Sequence, residues 1–175
     1  MRYAAFLRGV NVGKNHRVSS AELKEHFEAV GAEEVATFRT SGNVVFEAPR
    51  DMAAAIEERL EGSLGYEVRV FARTAKELEA IAAETPFPAK AVGAAKGKLQ
   101  VSMLDAKPSA AVRKEVLALA TDQDRLAFGK RELYWLPSGG TLESELDRKR
   151  IDELLGPSTM RTKGTVELLA AKFFA

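Results

Sequence analysis

The stretch Val35-Ala36-Thr37-Phe38-Arg39-Thr40-Ser41-Gly42-Asn43-Val44-Val45-Phe46-Glu47 decides the fold of this chain. Two runs rich in β-branched and aromatic residues, Val35 to Arg39 and Val44 to Glu47, flank Thr40-Ser41-Gly42-Asn43. Such side chains suit a pleated, half-buried surface, and Gly-Asn accepts the positive φ angles of a tight turn. The pair predicts a β-hairpin. What lies on either side says what the hairpin belongs to.

Upstream stands a marked helix start. Ser19 with Glu22 three residues later makes a capping box, and Val18 with Leu23 can staple it. Leu23, Phe27 and Val30 share one face, and Gly31 supplies a left-handed stop. Before the helix, Tyr3 to Val10 is an apolar run that reads as a buried strand. Downstream, Met52, Ile56 and Leu60 recur one turn apart in a helix from about Asp51 to Glu61, which Gly62 and Gly65 end. Glu67 to Phe71 then reads as a fourth strand. The order β-α-β-β-α-β is the split, ferredoxin-like arrangement. Right-handed crossovers place its strands in the order 4-1-3-2, each antiparallel to its neighbours.

The pattern then begins again. Thr74 with Glu77 opens a linking helix carrying Leu78 and Ile81, and Pro86-Phe87-Pro88 ends it. Residues 85–96 read as a linker of small, flexible composition. Lys98 to Leu104 is a strand, and Pro108 sits at the first turn of a helix with Val112, Val116 and Leu119. Arg125 to Phe128 and Glu132 to Leu136 pair through Gly129-Lys130. A helix from Ser144 to Leu155 stops at Gly156-Pro157. In place of a final strand the sequence suggests a loop, then a terminal helix from about Thr165 with Val166, Leu169 and Phe173 on one face. The expected fold is α+β: two tandem ferredoxin-like (split β-α-β) halves with antiparallel sheets, spanning 1–84 and 97–175, the second modified at its end. The alternative is one undivided sheet that repeats a common motif.

Composition narrows the function classes. The chain has 175 residues, 46% hydrophobic and 29% charged, which suits an ordinary globular protein. It has no cysteine, so disulfides, thiolate nucleophiles and cysteine-based zinc sites are excluded. Its two histidines, His16 and His26, are too few for a histidine-rich metal site, and no cofactor is expected. A net charge of +1 argues against a surface that grips nucleic acid everywhere. The N-terminal apolar run is broken by Arg8, so neither a signal sequence nor a membrane span is expected, and the address is cytoplasmic by default. Nothing in the sequence points to an oligomeric state.

The predicted topology puts the C-terminal end of the first strand and the 40–43 hairpin at one sheet edge. The loop Asn11-Val12-Gly13-Lys14-Asn15-His16-Arg17 closes over it and feeds the capped helix. Arg8, Lys14, Arg17 and Arg39 bring positive charge, Asn11, Asn15, Thr40, Ser41 and Asn43 bring hydrogen bonds, and Gly9, Gly13 and Gly42 let backbone amides approach a ligand. A glycine loop running into a helix N-terminus suits an anion. The candidate ligand-binding set is Arg8, Asn11, Gly13, Lys14, Arg17, Ser41 and Asn43. Arg161, in the hydroxyl-rich stretch Ser158 to Thr165, is a second candidate anion contact. The expected partner is an anionic small molecule, such as a nucleotide, or a short nucleic-acid segment.

Plainer readings stand beside these. The loop can be a solvated turn, Thr162 or Thr165 can cap the last helix, and Asp147-Arg148-Lys149-Arg150 can be an exposed helix face. No nucleophile elbow, no oriented histidine and no distinct carboxylate pair emerges. Binding module, enzyme acting on a phosphorylated small molecule, and protein interaction domain all remain open.

Leu7-Arg8-Gly9-Val10-Asn11-Val12-Gly13 and Ser41-Gly42-Asn43-Val44-Val45-Phe46 resemble the two signatures of a bacterial family, domain of unknown function 1697. Pro86-Phe87, Thr159-Met160-Arg161 and Thr165-Val166 are similar to its later pattern. The resemblance implies a tandem of α+β halves related to the ferredoxin-like fold. It implies no activity, substrate or catalytic residue.

Overall fold

The structure, a computed structural model, describes residues 1–11, 17–39 and 42–175. The chain divides into two compact units, Met1–Ala80 with Leu169–Ala175, and Ile81–Leu168.

In the first unit, β1 (Arg2–Arg8), α1 (Ser20–Ala29), β2 (Glu33–Thr37), β3 (Asn43–Glu47), α2 (Ala53–Leu64) and β4 (Arg69–Thr74) follow one another. The strands lie in the order β2-β3-β1-β4, the 4-1-3-2 arrangement expected from the crossover rule, and every pairing is antiparallel. Strand alternation sends Tyr3, Ala5, Leu7, Val44 and Phe46 to one sheet face, where they meet Leu23 and Phe27 of α1 and Ile56 and Leu60 of α2. Phe46 stacks on Tyr3 at 5.5 Å and takes the edge of Phe27 at 5.4 Å. Each such buried side chain is worth about 1.5–3 kcal/mol against exposure. Ala4, Phe6, Val45, Phe71 and Arg73 occupy the opposite face and are buried as well.

The Ser19–Glu22 capping box forms in both directions: Ser19 Oγ accepts from the Glu22 amide at 3.1 Å, and Glu22 Oε2 accepts from the Ser19 amide at 3.0 Å. Gly31, at φ 96°, stops the helix as expected. Several boundaries differ from the sequence expectation; β1 spans Arg2–Arg8 rather than Tyr3 to Val10, and β4 spans Arg69–Thr74 rather than Glu67 to Phe71. Strand β2 ends at Thr37 rather than Arg39, because Arg39 turns into the left-handed region at φ 61°. Helix α2 starts after Asp51, whose carboxylate accepts from the Ala53 amide and so lies outside the helix, and it runs through Gly62 to a left-handed Gly65.

The second unit contains α4 (Ala89–Ala94), β5 (Gln100–Leu104), α5 (Ala110–Leu117), β6 (Asp124–Phe128), β7 (Glu132–Pro137), α6 (Arg148–Leu155) and β8 (Ser158–Thr162). Helices α3 (Ala75–Ala83) and α7 (Lys163–Phe173) belong partly to each unit. The second sheet runs β6-β7-β5-β8, again antiparallel throughout. Among the described residues the fold is thus α+β, with two four-stranded antiparallel sheets and seven helices. No helix of the described residues is long and apolar enough to cross a membrane.

Several expectations for this unit need correction; α5 starts at Ala110 with Ser109 as its cap, so Pro108 stands before the helix rather than in its first turn. The stretch Ser158–Thr162, read as a loop, is the edge strand β8 paired with β5. Its buried positions, Thr159 and Arg161, are polar and satisfy each other: Arg161 Nη1 donates to Thr159 Oγ1 at 2.8 Å and to the Met160 carbonyl at 2.9 Å. The strand therefore lacks the apolar alternation that would have announced it. Helix α6 begins at Arg148, where the Asp147 carboxylate accepts from the Arg150 amide at 3.0 Å; Ser144 instead accepts from the Leu146 amide at 3.1 Å and donates to Asp124 Oδ1 at 2.7 Å. Residues 89–94, read as part of a flexible linker, form a short helix. Tyr134 and Trp135 are both buried, and Trp135 Nε1 also donates to Asp124 Oδ1 at 2.8 Å.

Candidate functional site

Strand β1 ends at Arg8, and the chain then makes a sharp bend. Gly9 sits at φ 100°, and a Cβ there would stand 2.8 Å from the Glu67 carbonyl oxygen. Val10 turns inward into the core, and Asn11 takes a left-handed conformation at φ 53°. Its Oδ1 accepts from the Val18 amide at 3.0 Å, tying the exit of β1 to the entry of α1. Asparagine tolerates this geometry because its short amide can bond locally.

The hairpin closes beside this bend. Two bonds join Phe38 and Asn43, from the Phe38 N–H to the Asn43 carbonyl at 2.9 Å and from Asn43 Nδ2 to the Phe38 carbonyl at 2.9 Å, and the Leu7 N–H of β1 donates to the Gly42 carbonyl at 2.8 Å. Gly42, at φ 79°, packs so tightly that a Cβ would stand 2.8 Å from Val10 Cγ2. Residues 9–11 and Gly42 are thereby fastened to one edge of the sheet.

Between them opens a cavity of about 420 Å³, within the size range of small-ligand sites. Asn11, Arg17 and Arg39 line it together with Ser19, Ser20 and Glu22 at the start of α1, over an apolar base of Val18 and Leu23. Asn11 and Arg39 are two of the three described non-glycine residues with positive φ, the third being Glu34. Backbone strain of this kind costs of order 1–3 kcal/mol and gathers at functional sites. Arg17 and Arg39 are exposed, so their guanidinium groups reach solvent from the cavity rim. The capping box occupies the Ser19 and Glu22 amides, while those of Ser20 and Ala21 have no acceptor within the helix. Among the described residues Glu22 is the one carboxylate lining the cavity, and it is held in the capping box by the Ser19 amide.

The residues expected from sequence fall into three groups. Asn11 and Arg17 meet at the cavity, joined by Arg39, whose charge the sequence placed at this edge. Gly13, Lys14 and Ser41 lie outside the described residues. Arg8, Asn43 and Arg161 lie elsewhere. Arg8 is exposed at the end of β1, in register with Arg69 of β4. Asn43 is 1% exposed, and its amide closes the hairpin, so it builds the edge from inside. Arg161 is in β8 of the second unit, where burial pushes its guanidinium down to about 10, still charged at neutral pH. The Thr162 hydroxyl accepts from the Thr165 amide at 3.3 Å, a capping contact of the kind read for this stretch. Ser20 and Glu22 were not expected as cavity residues; the capping-box motif itself was the signal, since it fixes which side chains surround a helix entrance.

A second cavity, of about 500 Å³, lies in the second unit and is lined by Lys96, Lys98, Gly139, Gly140 and Glu143 among others. No group of three or more His, Cys, Asp or Glu residues able to hold a metal exists among the described residues.

Comparison with known proteins adds fold and family. Among curated proteins nothing matches the chain. The solved structure of a conserved bacterial protein from Streptococcus pneumoniae is similar over 97% of both chains, with a TM-score of 0.67 and 22% identity, a likeness of fold. Residues 1–134 match the family described as "Protein of unknown function (DUF1697)", a span containing both loops of the cavity and the whole first sheet. This chain belongs to the DUF1697 family.

Proposed function

We propose that this protein is a binding module for a phosphate-bearing ligand, a nucleotide or a short nucleic-acid segment, and that the cavity at the entrance of α1 receives the phosphate. The observation that carries the reading is the convergence of Arg17, Arg39 and Asn11 on one cavity at a helix N-terminus. Guanidinium groups donate paired hydrogen bonds that match phosphate oxygens, and the helix dipole adds positive potential at the same place. Arg8, exposed at the end of β1 outside the cavity lining, stays in the proposed set by its charge, as Gly13, Lys14 and Ser41 do by their place in the sequence.

The same reading takes the molecule as two tandem ferredoxin-like halves descended from a duplication. Support comes from the shared strand order and from Arg73-Thr74 at the end of β4 standing where Arg161-Thr162 stands at the end of β8. The absence of cysteine is in keeping with a cytoplasmic address. An assembly role would draw on an open apolar sheet face, whereas Tyr3–Leu7, Asn43–Phe46, Val101–Leu104 and Glu132–Pro137 are buried on both faces of their sheets.

Titration of the wild type and the Arg17→Ala, Arg39→Ala double variant with pyrophosphate, nucleotides and short oligonucleotides tests the site. Two lost charge-assisted contacts should weaken binding by about tenfold to a hundredfold. Neutralising about two phosphate charges should make log K fall with log salt at a slope of about −1.5 to −2. A wild type that binds none of these probes, or a folded double variant that binds as well as wild type, sinks the proposal.

A further inference from the structure

The C-terminal end of α7 is built against the hairpin that carries Arg39, and both belong to the first unit. The Phe173 ring meets the Phe38 ring edge-on, at 84° and 6.2 Å between centroids. The Arg39 guanidinium lies over the same Phe38 ring at 5.3 Å, and Lys172 Nζ lies 5.9 Å from it and 5.3 Å from Phe173. The backbone of this segment is fastened too. Arg2 Nη1 donates to the Phe173 carbonyl at 2.7 Å, while Arg2 Nη2 pairs with Glu47 at 3.0 Å, so β1 and β3 together hold the helix end.

Arg39 is thus set by two constraints that act independently. Its backbone is left-handed, and its side chain rests on an aromatic ring that is itself wedged by Phe173. An exposed arginine held only by its backbone would spread over many rotamers and lose that freedom on binding an anion. One resting on a fixed ring has lost part of it beforehand.

We infer that Phe38 and Phe173 are positioning residues for the phosphate cavity: the C-terminal helix end holds the Phe38 ring, and that ring aims Arg39. The inference rests on the proposed binding role of the cavity. It adds that residues at the far end of the sequence set the affinity of a site built from the first forty, without touching the ligand.

A double-mutant cycle on the intact chain, with pyrophosphate as probe, separates the two ideas. Phe173→Ala should weaken binding by about threefold to tenfold, the scale of one cation–π contact, and Phe173→Tyr should restore it. In an Arg39→Ala background, Phe173→Ala should have no further effect, because the residue it positions is gone. Independently of ligand, the Arg39 side-chain NMR signals should move in Phe173→Ala as the Phe38 ring reorients. An equal loss in both backgrounds makes Phe173 a general stabiliser and overturns the inference, as do unmoved Arg39 signals. If Arg39→Ala alone leaves pyrophosphate binding intact, the cavity reading fails, and the positioning role falls with it.

Discussion

Two glycines with the same backbone angle show what individual residues contribute. Gly42 and Gly65 both sit at φ 79°, yet a Cβ on Gly42 would meet Val10 Cγ2 at 2.8 Å and Leu7 Cβ at 3.1 Å, while one on Gly65 would meet nothing within 4 Å. Gly65→Ala should cost about 1 kcal/mol, the left-handed penalty alone, and Gly42→Ala about 2 kcal/mol more through the clash. Urea denaturation of the two variants measures the difference, and equal losses would mean that the hairpin yields. Asp124 makes a pH prediction. It is 1% exposed, and burial alone would raise its carboxyl; hydrogen bonds from Thr121, Ser144 and Trp135 outweigh this and hold it below the ordinary aspartate value. A carboxyl depressed by folding stabilises above its unfolded value and loses that contribution as pH falls through the folded one. The wild type should therefore lose more stability than Asp124→Asn on acidification below about pH 4. Denaturant titrations at pH 7 and pH 3 give the comparison, and parallel losses would show that the network does not favour the charged form.

Among the elements, α1 joins stability to the proposed site through a single residue. Ser19 caps the helix and also lines the cavity. Ser19→Ala should cost about 1 kcal/mol by removing the cap. Ser19→Asp should keep that stability, since aspartate caps as well as serine, yet it places a second carboxylate beside Glu22. Its pyrophosphate affinity should fall several-fold while its melting temperature stays near wild type. Unchanged affinity would place the anion elsewhere. Helix α1 and the Thr74–Glu77 turn could be read from sequence because a capping box is a local bargain between residues three apart. Strand β8 could not, because Thr159 and Arg161 are buried by virtue of each other's hydrogen bonds.

At the level of the molecule, the first unit includes both ends of the chain. Leu169 is fully buried and Ala170 nearly so, and the Met1 amino group donates to the Ala48 carbonyl at 2.8 Å. Truncation after Leu168 removes the seven residues 169–175, and with them a buried leucine and the Arg2–Phe173 bond. Deleting a buried leucine side chain costs about 2–5 kcal/mol. Amide exchange in β1 and β3 should therefore quicken in the truncated chain, relative to β5 and β7. Exchange that stays slow in β1 and β3 would show that the first unit stands without its C-terminal helix end.

The amino-acid sequence by itself determined the β-α-β-β-α-β order of the first sheet, its strand order, the capped start of α1, and the meeting of Asn11, Arg17 and Arg39 at one edge. These follow from apolar periodicity, caps, turn chemistry and the hand of crossovers, all of which act within a few residues or obey general rules of chirality. Tertiary structure alone decided that Asn43 faces inward to close the hairpin, that Arg161 is a buried strand residue, and that Phe173 reaches Phe38. In each case the outcome depends on which distant backbone or ring comes within about 3 to 6 Å of the side chain. A pattern of neighbours along the chain carries no record of that distance.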